Sequence, residues 1–198
     1  MKKSIACPRG LSLRIESFVL NQIEENRRSF FLFFLRLLSW GFKGIIALRN
    51  AAYDRGLFRS HRVAARVVSI GNITAGGTGK TPLTALMIEH LQALMPTNVI
   101  SSGYRKSSRA SGLIDPTLAS AADMGDEAFM IARSYPDCRV YSTRSYLETA
   151  SMIGEGELVL LDDGFQKRKL ARDFDIVCMR GSDLLGKGYF LPRGLLRD

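Results

Sequence analysis

The chain has 198 residues, 46% of them apolar and 24% charged, with a net charge of +9. That length and composition suit one globular domain with a sizeable core and exclude a low-complexity chain. Three scattered cysteines, Cys7, Cys138 and Cys178, form no paired-thiolate spacing, which excludes a disulfide framework and suits a reducing compartment.

The positive charge is placed unevenly. Residues 1–66 hold 13 Lys/Arg against 4 Asp/Glu, an excess of nine, whereas residues 67–198 hold 15 of each. The first third is also apolar. Residues 30–35 read Phe-Phe-Leu-Phe-Phe-Leu, and the run continues through Leu37, Leu38, Trp40, Phe42, Ile45 and Ile46 to Leu48, broken by Arg36 and Lys43. A spanning helix needs about 20 predominantly apolar residues, and each central Arg or Lys costs about 2.5–3.5 kcal/mol on insertion. Two such charges weigh against a span. They suit a helix lying in the interface, its cations among anionic head groups and its aromatics below them. Arg27, Arg28, Arg49, Arg55 and Arg59 add attraction to an anionic membrane surface. The competing reading is a core helix with a basic, solvated face. Nucleic acid is not expected as a partner, because the basic residues interleave with a long apolar run. The start, Met-Lys-Lys-Ser-Ile-Ala-Cys, has too few apolar residues for a signal peptide. Residues 1–60 are therefore expected to form a membrane-interface helical segment, and residues 61–198 a second unit.

That second unit opens with a β-branched run, Val67, Val68 and Ile70, followed by Gly71-Asn72-Ile73-Thr74-Ala75-Gly76-Gly77-Thr78-Gly79-Lys80-Thr81 and an apolar, helix-patterned segment, Leu83–Leu94. Strand, glycine loop, Lys-Thr and helix make a phosphate-binding P-loop. Glycines let backbone N–H groups approach phosphate oxygens closely, and the helix N-terminus adds unpaired donors. Gly76, Gly77, Thr78, Gly79, Lys80 and Thr81 are the expected nucleotide contacts, with Lys80 on the β/γ-phosphates and the Thr81 hydroxyl on Mg²⁺. The strict pattern places glycine where this chain has Thr74. A glycine turn with a chance lysine is the bland alternative. Pro82 suits the first turn of a helix.

Further along, the pattern predicts a helix over 80–95, a strand at Asn98–Ser101, and a polar, turn-rich loop over 104–124. A helix follows at Asp126–Arg133, a strand at Arg139–Tyr141, a helix at Ser145–Ile153, and strands at Leu158–Leu161 and Asp175–Met179. Alternating strands and helices imply an α/β fold, a P-loop NTPase-like parallel sheet with helices on both faces. Ligands on such sheets bind at the carboxyl ends of strands, so the P-loop, the segment Ser101–Tyr104 and the pair Asp162-Asp163 are expected to converge. A carboxylate ending a buried strand can hold Mg²⁺; it can equally be a turn former. Asp126 is either an acid/base group or a helix N-cap.

The segment Asp162-Asp163-Gly164-Phe165-Gln166, followed by Lys167-Arg168-Lys169, resembles the signature of the tetraacyldisaccharide 4′-kinases, the lipid A kinases. Arg49-Asn50, Tyr53-Asp54-Arg55-Gly56, the atypical loop Ser69–Pro82, Ser102-Gly103-Tyr104-Arg105-Lys106, Gly125-Asp126-Glu127 and Leu191-Pro192-Arg193-Gly194-Leu195-Leu196-Arg197-Asp198 are similar to its other motifs, in order, from about residue 30 onward. Lys167 stands where the family has histidine, Ala128 where it has proline, and Asp198 where it has glutamate. Family members also continue into a C-terminal domain bearing a histidine thought to pair with the catalytic aspartate, so the resemblance implies a shortened kinase.

The resemblance implies that the γ-phosphate of ATP passes to the 4′-hydroxyl of a tetraacylated glucosamine disaccharide 1-phosphate. The setting it implies is the cytoplasmic face of the bacterial inner membrane, with the protein held peripherally. It implies Lys80 neutralising phosphate, Thr81 with Asp162 or Asp163 holding Mg²⁺, and Asp126 acting on the attacking hydroxyl. Tyr104, Glu127, Gln166 and Arg197 are the implied substrate contacts. The alternatives are a membrane-associated P-loop NTPase switch and an inactive fragment that binds nucleotide and membrane.

Overall fold

The structure is a computed structural model that describes residues 30–102, 112–118, 124–181, 184–185 and 188–198. Helix α1 (Phe30–Asp54) precedes a sheet of six strands: β1 (Arg66–Gly71), β2 (Thr97–Ser101), β3 (Gly112–Leu113), β4 (Arg139–Ser142), β5 (Leu158–Asp162) and β6 (Phe174–Val177). Among the described residues three further helices connect them: α2 (Lys80–Leu91), α3 (Asp126–Ser134) and α4 (Tyr146–Ser151).

The strand order is β3-β4-β2-β5-β1-β6. All neighbours are parallel except β3, which runs antiparallel to β4. β2 and β5 are buried along their whole length, as central strands of a parallel sheet are when both faces are covered; β5 is apolar up to Asp162, whereas β2 also buries Thr97, Asn98 and Ser101. Alternation along β5 divides the core. Leu158 and Leu160 pack with Val68, Val99, Val140, Ile88 of α2, and Ala128 and Ile131 of α3 on one face. Val159 and Leu161 pack with Val67, Ile100, Leu170, and Tyr146 and Ala150 of α4 on the other.

The structure differs from the sequence reading chiefly in α1, α2 and β3, and by one or two residues at the ends of α4 and β6. α1 stops at Asp54 rather than running to residue 60, because Gly56 takes a left-handed φ of 73° and Gly56 N–H bonds back to Tyr53 O at 3.0 Å. Residues 1–29 lie outside the described residues. α2 stops at Leu91 and gives way to a turn before Met95. The segment read as a loop over 104–124 contains β3, whose two residues, one of them glycine, carry no periodicity to detect.

Helix α1 carries two unlike faces. Leu35 and Ser39 are buried, whereas Phe33, Phe34, Leu37, Leu38, Trp40, Ile45 and Leu48 are all exposed. At 3.6 residues per turn the exposed apolar set covers about 160° of the helix. No helix among the described residues is long and apolar enough to cross a membrane.

Candidate active site

The parallel register brings four strand ends to one edge. Ile70 pairs with Asp162, Ser101 also pairs with Asp162, and Gly71 pairs with Val177. The glycine loop leaves the sheet here. Gly76 and Gly79 take φ of 114° and 83°, a region that side chains with Cβ rarely adopt. Gly79 leads directly into Lys80 at the first position of α2, with Thr81 half-buried in the next position. Asn72, fully buried, braces the loop from inside: its Nδ2 donates to Thr78 Oγ1 at 3.0 Å and to Gly76 O at 3.3 Å. Arg180, past β6, donates to Gly77 O at 3.1 Å from outside.

The two strand-end carboxylates sit in opposite environments. Asp162 is 2% exposed, and its Oδ1 is buried with no hydrogen-bond partner. Burial first, then the charges of Glu127 and Asp163, push its carboxyl up to about 7, against the pull of Lys80 and of the Asp163 backbone N–H. Asp163 turns out of the strand with a left-handed φ of 58° and is well paired. Lys80 Nζ lies 3.7 Å from its Oδ1, and the Arg197 guanidinium donates to both its oxygens, with Nη1 to Oδ2 at 3.4 Å. Arg197 also donates to Asn72 Oδ1. Gly164 then passes so close to Leu161 that a Cβ would lie 2.4 Å from the leucine Cβ. Phe165 seats on Gly71 in the same way. Gln166 Nε2 donates to Asn72 O at 2.9 Å.

Of the residues singled out from the sequence, Lys80, Asp162, Asp163, Gln166 and Arg197 converge with the glycine loop. Asp126 and Glu127 open α3, exposed, with Gly125 in the N-cap position; Asp126 therefore does not cap the helix. Glu127 is near enough to raise the Asp162 carboxyl. Tyr104 lies outside the described residues. Sequence reasoning assigned no role to Asn72, Arg180 or Tyr146. Tyr146 OH donates to Asp162 O at 2.9 Å, and burial raises its phenol well above the ordinary range. Only Asn72, an amide inside a glycine loop, carried a readable signal.

The donor set fits Mg²⁺. A buried carboxylate oxygen lacking any partner stands beside a Lys-Thr helix start. Mg²⁺ is held by one or two carboxylates plus substrate phosphates, not by a full protein cage. No group of three or more His, Cys, Asp or Glu that could hold a metal occurs among the described residues.

The family model described as LpxK, tetraacyldisaccharide-1-P 4′-kinase, matches residues 31–198. The tetraacyldisaccharide 4′-kinase of Syntrophus aciditrophicus is 40% identical over 179 residues, covering 86% of this chain and 48% of that protein. That of Halothermothrix orenii is 34% identical over 200 residues, covering 93% of this chain and 51% of that protein. The crystal structure of LpxK from Aquifex aeolicus in complex with ATP superposes with a TM-score of 0.73 at 29% identity, covering 81% of this chain and 52% of that one. The chain thus spans about half the length of the relatives it matches.

Proposed function

The chain belongs to the tetraacyldisaccharide-1-P 4′-kinase family, and on that premise we propose that it takes part in moving the γ-phosphoryl group of ATP to the 4′-hydroxyl of a tetraacylated glucosamine disaccharide 1-phosphate. The observation that carries this is the convergence of Lys80, Asp162 and Asp163 at the mouth of the glycine loop. Phosphoryl transfer asks a protein mainly for positioning and charge neutralisation. The backbone N–H groups of residues 76–81 bind the β- and γ-phosphates. Lys80, drawn from Asp163, neutralises their oxygens. Thr81 and Asp162 are the residues that would hold Mg²⁺, which when bound withdraws charge from the phosphate oxygens. Asp126, exposed at the start of α3, accepts the proton of the attacking hydroxyl as the new O–P bond forms and ADP leaves. Glu127 and Tyr104 are placed here as contacts to the sugar, and Arg197 as a contact to phosphate. Gln166, one amide N–H of which is engaged by Asn72 O, is proposed to meet substrate through its remaining amide groups.

The lipid acceptor explains α1. Residues 1–60 are proposed to hold the protein peripherally on the cytoplasmic face of an anionic bacterial inner membrane, with residues 61–198 as the nucleotide domain. Support comes from the exposed stripe from Phe33 to Leu48, bordered on the helical wheel by Arg36 and Lys43. The test is incubation with γ-labelled ATP and the acylated disaccharide in mixed micelles. Label on the lipid supports the kinase. Inorganic phosphate without labelled lipid supports an NTPase switch, and ATP binding without turnover supports a binding fragment.

A further inference from the structure

The last turns of α1 are fastened to the site. Asn50 Nδ2 donates to Asp198 Oδ1 at 3.2 Å, and Arg49 Nη2 lies 3.5 Å from the same oxygen. The Asp198 side chain is 7% exposed. Arg168, in the loop following Asp162-Asp163, donates to Asn50 O at 3.4 Å, pairs with Asp54 at 2.5 Å and lies over the Tyr53 ring at 5.1 Å. Nearer the start of the helix, Ser39 Oγ donates to Phe190 O at 2.7 Å, and the Phe42 and Phe190 rings are 6.5 Å apart. The helix therefore grips the segment 190–198 at both ends.

Between those grips the segment is stiff. Leu191 N–H bonds to Leu196 O at 2.9 Å and Leu196 N–H to Tyr189 O at 3.1 Å. A Cβ on Gly194 would fall 2.2 Å from Tyr189 O, so only glycine fits there. The far side of the segment is sewn to the glycine loop, with Ala75 N–H on Leu195 O at 2.7 Å and Arg197 N–H on Ile73 O at 2.9 Å. Arg197 then delivers its guanidinium to Asp163 and Asn72. A free arginine side chain carries about 2 kcal/mol of rotamer entropy, and Asp163 holds a left-handed backbone that non-glycine residues rarely take. Both need the segment fixed from outside.

We propose that Asn50 is a positioning residue for the phosphate site. Through Asp198 it holds Arg197 against Asp163 and Asn72, so the helix assigned to the lipid surface also sets the shape of the glycine loop. This rests on the nucleotide reading of that loop. The arrangement makes use of Arg49-Asn50 and Tyr53-Asp54, which the reaction itself leaves without a role.

The experiment uses the full chain and a fluorescent ATP analogue as probe. Asn50→Ala and Arg197→Ala are each expected to weaken its binding about tenfold, in the range of one hydrogen bond to a charged group. The double variant should bind no worse than Arg197→Ala alone, because both act through one contact. Amide exchange should quicken at Ala75 and Arg197 in Asn50→Ala and stay unchanged in β2 and β5. Losses that multiply to about a hundredfold, or a lowered melting temperature with unchanged probe affinity, would overturn the proposal. So would unchanged exchange at Arg197, whatever the probe does. Equal binding by the parent and Lys80→Ala would instead sink the nucleotide reading, while the exchange data still decide whether Asn50 holds Arg197.

Discussion

Replacing Asp162 by asparagine should stabilise the nucleotide-free protein at alkaline pH while removing its response to Mg²⁺. The carboxyl is buried with one oxygen unpartnered and is raised from 3.8 to about 7. A group raised in the folded state takes up a proton on folding, so its contribution to stability is greatest below the unfolded value and is lost as pH rises to the folded one. Between pH 5 and pH 7 that loss is about 2–3 kcal/mol, at about 1.4 kcal/mol per pH unit, and above pH 7 it levels off. An asparagine amide does not titrate and has no such loss. The advantage of Asp162→Asn over the parent should therefore grow by about 2–3 kcal/mol from pH 5 to pH 8. For a chain of this size that is about 5–10 °C in melting temperature. Thermal denaturation at both pH values, without metal, reads it directly. Adding Mg²⁺ with ATP should then raise the parent more than the variant, since a ligand of the native state stabilises by mass action. An advantage that is equal at pH 5 and pH 8, or larger at pH 5, would refute the picture of a desolvated, unpaired carboxylate.

Lys80→Ala should lower phosphoryl transfer about a thousandfold, because several kcal/mol of charge stabilisation are lost; a purified variant keeping more than about a tenth of parental transfer would remove the P-loop assignment. Asp126→Asn should cut turnover with ATP affinity nearly intact, and a variant that chiefly weakens ATP binding would move Asp126 out of the acid/base role. Serine at Phe33, Phe34, Leu37 and Trp40 should abolish flotation with anionic liposomes. Charge reversal at Arg36 and Lys43 should weaken it only partly, as salt does, because screening leaves apolar burial untouched; unchanged flotation of the serine variant would return α1 to an ordinary helix. Gly71→Ala places a Cβ 2.3 Å from Phe165 Cβ and 2.9 Å from Phe165 N. It should cost at least about 2 kcal/mol, seen as a fall of about 4–8 °C in melting temperature; an unchanged midpoint would mean the Asp-Gly-Phe turn is not seated on β1.

The alternation of strand and helix was legible because each parallel strand here has a short apolar or β-branched centre bounded by polar or turn residues, most plainly in Leu158–Leu161 before Asp162. The order of the strands was not. β5 inserts between β2 and β1, and nothing in Leu-Val-Leu-Leu records its neighbours, since buried parallel strands share one composition. β3 was lost for a different reason: a two-residue strand has no period, and its hydrogen bonds to β4 are a tertiary event. The helix over Phe30–Asp54 was legible from its apolar run, whereas its docked face was not. Ser39 reads as a polar interruption and proves to be a buried donor to Phe190 O.

The carboxylate pair marks the limit of reading the site by residue type. Asp162 and Asp163 are chemically identical neighbours, and the sequence placed both at the metal. The strand separates them. Asp162 is still in register with Ile70 and Ser101, so its side chain is fixed by the sheet and desolvated by it. Asp163 has left the ladder at a positive φ and swings toward Lys80 and Arg197. One residue of chain thus turns a carboxylate with one oxygen unpartnered into one with two cations. Arg197 decides the second environment, and it arrives from a segment 34 positions away. Its course is set by Gly194 and by the grip of Asn50 on Asp198. A motif names the groups that can bind metal or phosphate. Which of two adjacent groups stays unpaired to do so depends on long-range packing, and here that packing runs through α1.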